Sequence, residues 1–119
     1  LNEWNENREK IASWYDELIQ TDKIIKPKKA SYCGRHTYHI YCVRLLDLNR
    51  DEVMSKLNDN DIQSGIHYPI PIEQTKIYED KGWNNTNTRL YAEQLMSLPM
   101  HPFMTREDVE RIAKVINNV

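Results

Sequence analysis

The sequence predicts an α+β fold, a small antiparallel or mixed sheet covered by helices. Two observations carry this. Residues 36–48, HTYHIYCVRLLDL, are dense in aromatic and β-branched side chains and read as a strand. Near both ends of the chain, apolar residues recur at helical rather than strand spacing. Together they predict the order helix, strand, helix, strand, helix, short strand, helix, which packs as one compact layer.

The first helix is expected over residues 3–20, where Trp4, Ile11, Tyr15, Leu18 and Ile19 fall near one face. At 1.5 Å per residue it runs about 27 Å. Its first turns are mostly polar, so its support is expected from a part of the protein outside this chain. The next segment, DKIIKPKKASYCGR, holds Pro27 and Gly34, and its lysines read as a solvated loop. On the 36–48 strand, His39, Tyr41, Val43 and Leu45 share one side, with Tyr38, Ile40, Cys42 and Leu46 on the other. Both sides are largely apolar, which predicts cover on both.

Asn49 followed by Glu52 resembles a capping box, and Val53, Met54 and Leu57 give the helix behind it an apolar face ending near Asn60. A strand is expected over 66–70, a helical turn within 74–81, a helix over 88–95 and a short strand near 97–99. The last helix has the fullest signature. Thr105 caps it, Asp108 sits in the reciprocal position, and Met104 staples onto Val109. Val109, Ile112, Ala113 and Ile116 then recur at i, i+3, i+4 and i+7.

Composition bounds the function. A chain of 119 residues suits one domain, with 39% hydrophobic and 29% charged residues as in ordinary globular proteins. The formal net charge is −2, with both signs interspersed, so no basic stripe marks a nucleic-acid surface. No apolar run approaches the ~20 residues of a membrane span, and no secretory h-region is visible. Cys33 and Cys42 are read as free thiols. With Asn84-Asn85-Thr86 taken as a polar loop rather than a glycosylated one, the expected location is cytoplasmic.

Chemistry is sparse. His36 and His39 have an H-x-x-H spacing, but on a strand they would point to opposite faces, which argues against a shared metal. Three glycines leave no phosphate-cradling loop, and nucleophile-elbow and Cys-X-X-Cys patterns are absent. The unusual stretch is GIHYPIPI, residues 65–72. Its apolar residues alternate as in a strand, yet Pro69 and Pro71 remove two backbone donors. His67 and Tyr68 therefore sit where backbone leaves the sheet, a common place for a cleft wall. Local packing of Tyr68 and one hydrogen bond to His67 is the structural alternative.

Three stretches in this order, HTYHIYCVRL, GIHYPIPI and SLPMHPFMTREDVERI, resemble the C-terminal part of the DegT/DnrJ/StrS family of pyridoxal-phosphate-dependent sugar aminotransferases. NREKIASWYDEL resembles the family's helix linking its large and small domains. The resemblance implies that residues 1–22 are that linking helix and 23–119 the small domain, with the cofactor-binding large domain upstream. It implies a parent enzyme that moves an amino group, typically from glutamate, to a keto-sugar nucleotide, with pyridoxal 5′-phosphate as cofactor. A homodimer partner is implied as well. None of the nine lysines takes the Schiff-base role, so no catalytic or cofactor-binding residue is expected in this chain. By motif position, His36, Tyr38 and His39 match an H-x-Y-H strand, and His67 and Tyr68 an H-Y-P segment facing substrate. Two departures stand out. Glu73 replaces a frequent histidine, where a carboxylate would repel phosphate, and Arg89 replaces a frequent acidic residue. The rival reading is a non-catalytic binding or regulatory module that kept the fold.

Overall fold

The computed structural model describes the backbone of all 119 residues and every side chain except that of Asp80. Helix α1 spans Asn2–Leu18, strand β1 Ile24–Ile25, strand β2 Tyr41–Leu45 and helix α2 Arg50–Asn58. Two 3₁₀ turns follow at Ile72–Gln74 and Glu79–Lys81, then helix α3 at Thr86–Gln94, strand β3 at Leu95–Leu98 and helix α4 at Arg106–Ile116. The three strands form one antiparallel sheet in the order β1-β2-β3. Among the described residues, no helix is long and apolar enough to cross a membrane.

The sheet is covered completely on one face only. Tyr41, Val43 and Leu45 of β2 have no exposed surface, and Met96 and Leu98 of β3 are buried beside them. This face joins Ile11, Ala12 and Tyr15 of α1, Val53 and Leu57 of α2, and the Val109-Ile112-Ala113-Ile116 stripe of α4 in one apolar core. Cys42 and Arg44, on the other face, are only half-buried, so the expectation of full cover on both sides is corrected. The reason lies in α3, which approaches that outer face but buries none of its own residues.

Two buried phenols tie the core together. Tyr15 and Tyr41 stack with ring centroids 4.6 Å apart. The Tyr15 hydroxyl donates to the Pro99 carbonyl at 2.7 Å, and the Tyr41 hydroxyl donates to an Asp16 carboxylate oxygen at 2.6 Å. Burial raises both phenols above the ordinary tyrosine value, and the nearby Asp108 and Asp16 carboxylates respectively add to the rise. Each hydroxyl therefore remains a proton donor.

Several boundaries differ from expectation. The strand is five residues long rather than thirteen. Residues 36–40 are irregular, because Tyr38 adopts a left-handed backbone at φ 43° and its N–H turns back to His36 Nδ1 at 3.0 Å. Residues 66–70 form no strand. Only Gly65 pairs, bridging Ser97, before the donor-poor proline segment leaves the sheet. The expected strand near 97–99 is real but runs over Leu95–Leu98.

The lysine-rich loop after α1 is also more than solvated. It contains β1, pairing Ile24 with Leu45 and Ile25 with Arg44. Lys26 Nζ donates to the Asp16 and Ile19 carbonyls at 2.6 and 2.9 Å, satisfying acceptors at the C-terminal end of α1. At α2, Asn49 accepts from the Asp51 and Glu52 N–H groups, which is the N-cap half of the expected box. At α4 the box is complete. Asp108 N–H donates to Thr105 Oγ1 at 3.2 Å, and Thr105 N–H donates back to Asp108 Oδ2 at 2.8 Å.

Leu45→Ala should destabilise by about 2–5 kcal/mol in chemical denaturation, whereas Leu46→Ala, half-buried on the other side, should cost less than half as much. Comparable losses would show that both faces are equally packed.

Thr105→Ala should cost about 0.5–2 kcal/mol. The N–H and hydroxyl of Thr105 hold the Asp108 carboxyl below its ordinary value. The part of the box that rests on the ionised Asp108 carboxyl is therefore present above an unfolded value of about 4 and is lost as pH falls through the lower folded value, whereas the bond from Asp108 N–H to Thr105 Oγ1 does not titrate. A stability difference between wild type and variant that does not shrink at all as the pH falls below about 4 would contradict this.

Candidate functional site

The site is built where β3 meets the chain entering GIHYPIPI. Ser97 and Gly65 exchange both backbone hydrogen bonds, at 3.0 and 2.8 Å. Two residues later His67 turns back, and its Nδ1 lies 2.9 Å from Ser97 Oγ. Tyr68 then takes a left-handed conformation at φ 57°, which a bulky residue adopts only at a cost. Pro69 and Pro71 cannot donate to a neighbouring strand, so the backbone of residues 66–71 runs free of the sheet.

A cleft of about 240 Å³ opens at this point. His39 and His67 both line it, with Gln63, Ser97, Pro99 and Met100. The structure thus brings together two of the sequence-predicted residues from segments 28 positions apart. Tyr68 stands beside the cleft, 88% exposed. His36 and Tyr38 do not line it. They pack on each other with ring centroids 4.2 Å apart, and Tyr38 belongs to the buried core.

The chemistry available is hydrogen bonding. His67 Nδ1 is engaged by Ser97, which leaves Nε2 for a ligand. His39 and the Gln63 amide add a second imidazole and both donor and acceptor groups. Such groups match sugar hydroxyls and phosphate oxygens. Behind them, burial raises the Cys42 thiol above its ordinary value, opposed by the Ser97 hydroxyl and the Met96 N–H. That keeps the thiol protonated and unsuited to nucleophilic attack.

The described lining contains no lysine, arginine or carboxylate. It therefore does not fit pyridoxal phosphate, which needs an amine for its aldehyde and donors for its phosphate, and no chemical step is assigned to these residues through that group. His36 and His39 lie off the strand, so alternation of faces does not separate them. Among the described residues, no three His, Cys, Asp or Glu side chains gather as metal ligands.

Sequence reasoning missed Ser97 and Gln63. The available signal for Ser97 was a small polar residue within the apolar run LMSL. Glu73, one of the two departures from the family pattern, is buried and faces the other, Arg89, at 3.8 Å.

The sequence matches the model of the DegT/DnrJ/EryC1/StrS aminotransferase family over residues 1–117. It is 32% identical over 120 residues to the dTDP-3-amino-3,6-dideoxy-alpha-D-galactopyranose transaminase of Aneurinibacillus thermoaerophilus, covering 98% of this chain and 32% of that protein. To the UDP-4-amino-4-deoxy-L-arabinose–oxoglutarate aminotransferase of Shewanella sediminis it is 30% identical over 131 residues, covering 100% of this chain and 34% of the relative. The X-ray structure of S. venezuelae DesV in complex with a ketimine intermediate superposes with a TM-score of 0.87 at 25% identity, over 98% of this chain and 32% of that one. This chain thus spans about a third of the length of the curated relatives it matches.

The absence of a fitting amine at the cleft gives a direct test. Treating the chain with pyridoxal phosphate and borohydride should give scattered, substoichiometric labelling of its nine lysines. Stoichiometric trapping at one lysine, located by peptide mapping, would overturn that reading.

Proposed function

The chain belongs to the DegT/DnrJ/EryC1/StrS aminotransferase family, and from that premise we propose that it is the C-terminal segment of a nucleotide-sugar aminotransferase. In this reading residues 1–22 link a larger upstream domain to the small domain formed by 23–119. The enzyme transfers an amino group from glutamate to a keto-sugar nucleotide, in amino-sugar or cell-surface polysaccharide biosynthesis in the cytoplasm. It does so as a homodimer. Pyridoxal 5′-phosphate, held outside this chain, supplies the electron sink for the transfer.

The observation that carries the reading is the extent of the match. Almost every residue of this chain aligns with one third of proteins named as nucleotide-sugar transaminases. The name of one relative pairs a nucleotide sugar with oxoglutarate. Oxoglutarate is the keto acid that remains when glutamate gives up its amino group, which supports glutamate as donor here.

The role of this chain is to bind and orient substrate. His67 and His39 on the cleft wall, with Tyr68 at its side, contact hydroxyl or phosphate oxygens of the sugar nucleotide. Ser97 holds His67 by Nδ1 and so fixes the direction in which Nε2 is presented. His36 and Tyr38 act on the same site through His39, since their packing sets the irregular backbone leading into it.

In the full-length protein, His67→Ala should weaken the sugar-nucleotide half-reaction by about 0.5–3 kcal/mol, roughly 2- to 150-fold. Transfer from glutamate should be nearly unchanged. Single-turnover measurement of both half-reactions, with a melting curve, checks this. Equal losses in the two half-reactions, or a lower melting temperature alone, would make His67 a scaffold residue.

A further inference from the structure

The loop that carries His67 and Tyr68 has few attachments. Upstream it is fixed by the Gly65–Ser97 backbone pair, and midway by the His67–Ser97 bond. The next backbone hydrogen bond is Gln74 N–H to Pro71 O, inside the following 3₁₀ turn and local to it. Downstream the loop is seated on the rest of the fold by two buried residues, Pro71 and Glu73, and Glu73 is the charged one.

Glu73 is an unusual anchor. Its side chain is 3% exposed, and Oε1 has no hydrogen-bond partner. A buried carboxylate in that state is costly unless a cation compensates it. The cation within 4 Å is Arg89 of α3, whose Nε lies 3.8 Å from the same Oε1, at ion-pair but not hydrogen-bond distance.

The helix that supplies this cation buries none of its residues. Polar clips hold it against the sheet. Arg44 donates to Gln94 at 2.7 Å and stacks over the Tyr91 ring at 4.4 Å, while Arg50 donates to the Ala92 and Leu95 carbonyls. Its seat is therefore set by Arg44 and Arg50, and its own Arg89 faces the carboxylate that ends the substrate loop.

We propose that Glu73 and Arg89 form a positioning pair that sets the His67–Tyr68 loop against α3 and thereby fixes how the loop presents His67 to the cleft. Its consequence for substrate rests on the aminotransferase reading above. Its consequence for the loop does not. The pair is asymmetric in a way that can be measured. Removing Arg89 leaves a buried charge uncompensated, whereas neutralising Glu73 removes the need for compensation and leaves a half-exposed arginine in water.

Hydrogen exchange read by mass spectrometry on the full-length protein tests this over residues 65–75. Arg89→Gln should speed exchange there by about tenfold or more. Arg89→Lys and Glu73→Gln should stay within about twofold of wild type, and adding Glu73→Gln to Arg89→Gln should restore most of the protection. In the same variants, the KM for the sugar nucleotide should rise severalfold with Arg89→Gln and recover in the double variant, with the glutamate half-reaction unchanged. If Arg89→Gln does not fold but the double variant does, the pair is equally supported. Unchanged exchange in Arg89→Gln, or a double variant as loose or as unfolded as the single, overturns it. A wild-type protein without transaminase activity would refute the functional reading while the exchange data still decide the pair.

Discussion

The reciprocal hydrogen bonds between Gly65 and Ser97 are the constraint on which the site depends. Ser97 lies opposite Cys42 in the β2–β3 register, and its N–H and carbonyl face away from β2 toward Gly65. That pairing begins a further strand and lasts one residue. The two prolines that follow cannot extend it, so the chain must leave the sheet within reach of the Ser97 hydroxyl. His67 takes that hydroxyl, and the cleft forms between this departing backbone and His39. One strand edge thus sets the direction of the loop, the tether of its histidine and the floor of the cleft.

The two faces of the sheet are held by different physics. The inner face is apolar burial around stacked tyrosines, where close packing makes positions inflexible. The outer face is charged clips, with Arg44, Arg50 and Arg89 holding a helix that contributes nothing to the core. Several apolar residues remain exposed on or near that helix and the preceding loop, including Ile70, Ile77 and Trp83.

Much of the fold was legible because its signals are local. The capping box at Thr105–Asp108 and the i, i+3, i+4, i+7 stripe behind it mark α4 within a dozen residues of sequence, and the structure places the helix there. The core of the central strand, with Tyr41, Val43 and Leu45 on one side, follows from a period of two. Strand ends were less legible. The aromatic run before Tyr41 has the composition of a strand, but a left-handed residue at Tyr38 ends pairing there. Two isoleucines among lysines give no periodicity at all, yet they pair with β2 because its edge needs a partner.

The sequence by itself determined the α+β class, the helix faces, the central strand and the proline-limited segment carrying His67 and Tyr68. Each of these is written in neighbours a few positions apart, where backbone sterics and apolar spacing act. Only the tertiary structure decided that His67 meets Ser97 and shares a cleft with His39, that Tyr38 goes to the core, and that Glu73 lies against Arg89. Those pairings join residues separated by long stretches of chain. They arise when the sheet closes and excludes water, so that a buried hydroxyl or carboxylate must take whichever partner the packing brings within reach.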